Sequence, residues 1–224
     1  MNTKSLVVVF CLLGSWCGAH GFAQGKSEVA GATGKIAAAG KSFLASLDET
    51  QRGKVVFGFK DEAQRKRWSN LPVGMFKREG LRMGDLTKAQ RDAAMALLAA
   101  ALSPQGYEKM LQIVGADEVL KKGPGGRPDF GRDEFFLSFL GEPSATEPWM
   151  IQFGGHHLAL NITLVGERGT LAPSHTAAQP AIYELEGKTV RPLGRETDKA
   201  FALMSSLDEE QRKRAILGLS LIHI

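Results

Sequence analysis

Between residues 149 and 166 the chain reads WMIQFGGHHLALNITLVG, and its apolar side chains alternate with smaller or polar ones over two short runs. Successive side chains of a strand point to opposite faces, so a period of two marks a strand with one buried face. The Gly-Gly between the runs is a favoured composition for a two-residue hairpin turn. On that register Phe153 faces His156, Gln152 faces His157 and Ile151 faces Leu158, and cross-strand partners share a face. One face then carries Trp149, Ile151, Phe153, His156, Leu158, Leu160, Ile162 and Leu164; the other carries Met150, Gln152, His157, Ala159, Asn161 and Thr163. A sheet with one apolar face has to be covered by a second layer, which the rest of the chain must supply.

The flanking segments have the right character for that layer. Residues 28–122 read as helical: DLTKAQRDAAMALLAAALS opens with a capping box, Thr87 to Gln90, and Pro104 restarts a helix that runs to Gly123. GPGGRPDFG (123–131) is a loop by composition. DEFFLSFLG (133–141), the hairpin runs and IYELEGKTVRPLG (182–194) are strand formers bounded by Gly and Pro, and helical character returns afterwards. The expected class is α+β: a mainly helical region (24–131), an antiparallel β region with the Gly-Gly hairpin (132–194), then a C-terminal helix (195–219).

That last helix echoes an earlier one. LASLDETQRGKVVFGF (44–59) and MSSLDEEQRKRAILGL (204–219) agree at seven of sixteen positions without gaps. Each contains S-L-D-E, in which the Ser hydroxyl and the Glu carboxylate three residues on form an expected capping box. In the first copy Leu47, Val55 and Phe59 share a face at helical spacing. The pattern predicts a duplicated structural unit.

The first 23 residues read as a secretory leader: Lys4, an apolar run from Leu6 to Leu13, and small residues Gly21 and Ala23 before a cut at Gln24. A lipoprotein leader with Cys17 is the rival reading, opposed by the bulky Trp16 before it. Export to the periplasm or the extracellular space is expected, with no stable membrane span after cleavage. Both cysteines, Cys11 and Cys17, fall in the leader, so the remaining chain has no disulfide or thiolate ligand. The formal net charge is +4, or +3 without Lys4, and its basic residues are interleaved with acidic ones. The densest cluster, QRKRW (64–68), reads as a solvated helix face, and nucleic acid is not an expected partner.

Few residues are left to carry chemistry. Adjacent strand positions send His156 and His157 to opposite faces, so the two imidazoles are not expected to bind one metal together. His156 reads as a hydrogen-bonding residue closing the core. His157, with Gln152 opposite and Asn161 along the same face, is the candidate catalytic base or metal ligand, with an ordinary surface histidine as the alternative. His175, in LAPSHTAAQP, is placed in a loop, and N-I-T (161–163) matches a glycosylation pattern in mid-strand. The H-E-x-x-H, G-x-S-x-G, Walker A and C-x-x-C patterns are absent.

FLASLDETQR, DLTKAQRDAAMALL, LSPQGYEKM, GEPSATEPWMIQFGGHHLALNITLVG and RPLGRETDKAFALMSSLDEEQR together resemble domain of unknown function 3500, a family of exported bacterial proteins. The resemblance spans most of residues 41–214, and GGHHLALN is its most specific part. It implies export and this α+β layout, and no activity. It also implies further histidine-bearing strands after the second S-L-D-E helix, so the chain is expected to be truncated, with residues 220–224 a non-native tail and His223 outside any site. Two function classes fit. One is a hydrolase that uses His157 as base, or holds a divalent metal through His157 joined by residues of the missing portion, with His156 the more remote alternative ligand. The other is a non-catalytic protein binding a small-molecule or cell-envelope ligand on the same polar face.

Overall fold

The computed structural model describes residues 21–216. Residues 1–20 of the expected leader and the last eight residues, which include the expected tail, lie outside them. Helices come first: α1 (Gly21–Ala45), α2 (Glu49–Val55), α3 (Glu62–Arg65), α4 (Lys88–Ala101) and α5 (Pro104–Lys122). Two short strands, β1 (Val56–Phe57) and β2 (Leu81–Arg82), lie among them. Strands β3 (Phe136–Leu140), β4 (Trp149–Gly155), β5 (Leu158–Val165) and β6 (Arg168–Thr176) follow, then the small hairpin β7 (Tyr183–Leu185) and β8 (Lys188–Val190). Helices α6 (Gly194–Ser206) and α7 (Glu209–Ala215) close the described chain. The α+β class expected from the sequence is the class observed.

The main sheet has the order β1-β3-β4-β5-β6, with β2 also pairing β3. Every pair is antiparallel except β1 with β3, which is parallel through Val56 and Phe139. The helical face expected from Leu47 to Phe59 therefore breaks after Val55. Val56 and Phe57 suit a strand better than a helix, and the open edge of β3 offers them partners. β6 is an edge strand, which is where Pro173 can lack an N–H without breaking a ladder.

The apolar face of the sheet is the core. Leu137 and Phe139 of β3, Trp149, Ile151 and Phe153 of β4, and Leu158, Leu160, Ile162 and Leu164 of β5 are all buried on it. Helix α1 covers them with Ile36, Ala37, Phe43 and Leu44, a stripe at helical spacing, and α4 adds Ala94, Leu97 and Leu98. The rings of Phe43, Phe139 and Trp149 stack in series at 6.0 and 6.1 Å. The Trp149 indole N–H is satisfied by the Ser144 carbonyl at 2.9 Å.

The caps show how the echo is built. The Thr87–Gln90 box forms as read, with Gln90 N–H on Thr87 Oγ1 at 3.3 Å and Thr87 N–H on Gln90 Oε1 at 3.0 Å. In both S-L-D-E copies the box starts two residues later than expected. Asp48 and Asp208 are the N-caps, and Gln51 and Gln211 close the boxes. Ser46 and Ser206 instead donate to the carbonyls of Phe43 and Leu203, each at 2.7 Å. A carboxylate is the stronger acceptor at the positive end of a helix, so Asp displaces Ser there. The two copies share this local structure and differ in setting. Phe43 is fully buried, whereas Leu203, its counterpart, is 62% exposed, and α6 and α7 bury no residue.

Truncating the ring that links helix and sheet tests this account of the core. Phe139→Ala is expected to lower the unfolding free energy by about 3–5 kcal/mol, read from the urea midpoint. The same change at exposed Phe201 should alter it by less than about 0.5 kcal/mol.

Candidate active site at the hairpin tip

The β4–β5 hairpin forms, but it turns two residues later than its glycines imply. Gly155 pairs with Leu158 and Gly154 with Ala159, so the reversal is His156-His157 itself. Moving the turn by two residues keeps the parity, and the apolar face is unchanged. The glycines are used for close approach. A Cβ on Gly155 would lie 2.7 Å from the Phe135 ring, and one on Gly154 would lie 2.7 Å from the Leu158 carbonyl oxygen. The left-handed position of the turn falls instead on His157, at φ 63°. For a non-glycine residue that conformation costs about 1–2 kcal/mol. Strain held in this way is characteristic of functional positions.

The surroundings hold the turn in place. His157 N–H donates to the Asn70 carbonyl at 2.9 Å, and the His157 carbonyl accepts from Ala177 N–H at 2.8 Å. Arg78 Nη2 donates to the carbonyls of Ser69, Leu71 and Gly155 at 2.7, 2.7 and 2.8 Å, tying the loop over the tip to the end of β4.

With the turn at the histidines, the expected division of the two rings onto opposite faces does not occur. Their imidazoles stack at 3.7 Å between centroids and 30° between planes. His156 is buried, and its Nδ1 lies 2.6 Å from Oδ1 of Asp117, a residue of α5 that is only 2% exposed. The other Asp117 oxygen accepts from the Gly131 N–H at 2.7 Å. An ionised carboxylate only accepts, so the Nδ1 of His156 that faces it carries a proton. The Phe130 ring closes one side of His156 at 4.8 Å. Burial, with the neighbouring His156 ring second, pulls His157 down to about 4, leaving it neutral at pH 7.

Gln152 and Asn161 lie elsewhere, directly opposite each other on the second face of the sheet. Gln152 Nε2 donates to Asn161 Oδ1 at 3.0 Å and to the Arg65 carbonyl at 3.2 Å, while Gln152 Oε1 accepts from Gln64 and Ser138 at 3.1 and 3.2 Å. Asn161 donates to the Pro173 carbonyl at 2.8 Å, beside the register shift between Leu160 and Ile162. Its side chain is fully buried, out of reach of a glycosylating enzyme. This network occupies Gln152 on both its amide groups and brings neither residue to His157. Gln64, from the cluster read as a solvated face, is likewise buried here. His175 is on β6, paired with Ala159, not in a loop. The pair Asp133 and Glu134 is held by Arg91 and Arg82.

Sequence reasoning missed Asp117. It sits among the buried positions of α5 with Ile113 and Ala116, and a carboxylate on the apolar stripe of a helix was the available signal. Among the described residues, no group of three or more His, Cys, Asp or Glu is disposed to hold a metal ion. Within them, then, His156 and His157 do not make up the three protein ligands that a catalytic zinc usually takes.

The depressed His157 predicts a pH dependence. Its folded value lies below the ordinary 6.5, so the unfolded chain binds more protons between about pH 4 and 6.5, and stability rises with pH across that window. His157→Asn keeps a residue that tolerates the left-handed region. Urea midpoints at pH 4.5, 5.5 and 7 should show a smaller rise with pH in that variant than in the parent.

A family model described as Protein of unknown function (DUF3500) matches residues 30–221. No curated protein and no solved structure matches the chain.

Proposed function

The chain belongs to the DUF3500 family, and from that premise we propose that it is an exported, histidine-dependent hydrolase whose general base is His156 rather than His157. The observation that carries the reading is the buried 2.6 Å contact between Asp117 and His156 Nδ1. A carboxylate so placed selects one tautomer, holds the ring still and stabilises the imidazolium formed when Nε2 takes a proton from water or a hydroxyl. His157, neutral and stacked against it, supplies a low-polarity flank without adding a competing charge. No step in this reading passes through a metal, since the described donors are too few for one.

The narrow pocket beside the tip, walled by Gly154, Ala159, Gln152 and Asn161, favours a second reading. It is capture of a small-molecule or cell-envelope ligand without turnover.

A panel of chromogenic esters, amides, phosphoesters and glycosides separates the two. Hydrolysis of at least one class is expected, falling by about 10²–10⁴-fold in His156→Ala. Asp117→Asn, which leaves the ring in place with the wrong partner, should lower kcat more than it raises KM. Turnover unchanged in His156→Ala would end the base assignment, and binding without turnover by the native protein would favour the second reading.

Export rests on the apolar run and small-residue exit of the first 23 residues. Among the described residues no helix is long and apolar enough to cross a membrane. Expression in a Gram-negative host should deliver the protein to the periplasm with Gln24 as its first residue, read by N-terminal sequencing.

A further inference from the structure

The pair of residues that carries the hydrolase reading is closed off from solvent. His156 is only 7% exposed and Asp117 only 2%. A general base acts within hydrogen-bond reach of the proton it takes, so a substrate meets this imidazole only when something covering it moves aside. The rings of His157 and Phe130 both lie against it, at 3.7 and 4.8 Å between centroids. His157 is held, its backbone N–H and carbonyl bonded to Asn70 and Ala177. Phe130 belongs to the loop GPGGRPDFG (123–131), which is attached differently.

Residues 124–128 of that loop are exposed, and Asp129 and Phe130 are half-buried. The loop is bonded largely to itself. Gly126 N–H donates to the Gly123 carbonyl at 2.9 Å and Phe130 N–H to the Arg127 carbonyl at 3.2 Å. Arg127 grips Asp129 through Nε and Nη2 at 2.9 and 2.6 Å, and its guanidinium lies over the Phe130 ring at 5.6 Å. Residues 127–130 therefore hold together as one piece. That piece meets the rest of the fold through Phe130 on His156 and through Asp129, whose carboxylate reaches the Gly74 backbone N–H. On either side stand glycines at positive φ, Gly125 at 75° and Gly131 at 104°. Glycine takes up backbone rotations at little steric cost, as a hinge requires. The Gly131 N–H is anchored on Asp117 at 2.7 Å, so the loop pivots beside the pair it covers.

We propose that residues 124–130 are a lid over the Asp117–His156 pair, latched by Asp129 on Gly74, and that the lid opens to admit a substrate to His156. Its purpose rests on the hydrolase reading; its opening does not, and is measured without turnover.

Diethyl pyrocarbonate, which acylates accessible neutral imidazoles, is the probe, with each histidine read by mass spectrometry of its peptide. A Cβ on Gly74 would lie 3.6 Å from Asp129 Cγ, which puts positions 74 and 129 within reach of a disulfide. Gly74→Cys with Asp129→Cys, in a full chain carrying Cys11→Ser and Cys17→Ser, locks the lid when oxidised and leaves it unlatched when reduced. His156 labelling is expected to be at least about tenfold slower in the oxidised form, since the latch it replaces is a bond to a charged group. His175, whose Nε2 is buried on β6, is the control and should label equally in both forms. Equal labelling of His156 in the two forms, or a change at His175 in step with it, would overturn the lid. Where the disulfide does not form, Asp129→Ala decides: it should speed His156 labelling about tenfold over the native chain, and an unchanged rate overturns the lid. Turnover of the substrate panel is followed alongside. Labelling that obeys the lock in a protein without turnover leaves the lid standing and removes the hydrolase reading. Turnover lost in His156→Ala but indifferent to the lock keeps the base and removes the lid.

Discussion

A strand shows alternate side chains to opposite faces, and on β3, β4 and β5 one of those faces is apolar at nearly every position. Everything else is arranged around covering it. α1 and α4 lie over the apolar face and meet it through Phe43, Phe139 and Trp149. On the second face the polar side chains of Ser138, Gln152 and Asn161 are satisfied by one another, by Gln64 and by backbone carbonyls. Buried polar groups are tolerated only when paired, so that network lets the α3 region close over a polar sheet surface.

The hairpin tip follows from the same constraint. Phe135 occupies the space above Gly155, and Arg78 bonds the Gly155 carbonyl, so the strand must continue through both glycines before it turns. The reversal is then forced onto two histidines, one in the left-handed region. That placement brings the imidazoles together and sets His156 against Asp117, a residue from a helix 39 positions earlier. A tight pairing of carboxylate and imidazole, a neutral second ring and a buried guanidinium whose Nη1 has no partner among the described residues thus meet at one end of the sheet.

The register error is instructive. Diglycine between two alternating runs is a sound turn signal, because glycine is the residue that most easily adopts a positive φ. It fails here because glycine is equally the residue that allows close packing, and a local pattern cannot tell the two uses apart. The face assignment survived because the shift was even. Gln152 and Asn161 were grouped correctly on one face, while His157, counted with them, left for the turn. Asp117 could have been flagged as a carboxylate on an apolar stripe, but its partner lies on a distant strand and no spacing announces it.

What the sequence by itself determined was periodicity: the α4 and α5 helices and where Thr87 and Pro104 start them, the β3, β4 and β5 strands, and which face of the sheet is buried. These depend on neighbours within a few residues. The echoed S-L-D-E units show the limit, since both build the same helix–cap–helix corner, yet one has its apolar positions in the core and the other has them exposed. Only the tertiary structure decided that difference, the position of the β4–β5 turn and the meeting of Asp117 with His156. Each depends on contacts between residues far apart in the chain, whose free energy is set by what the completed fold buries and leaves unpaired.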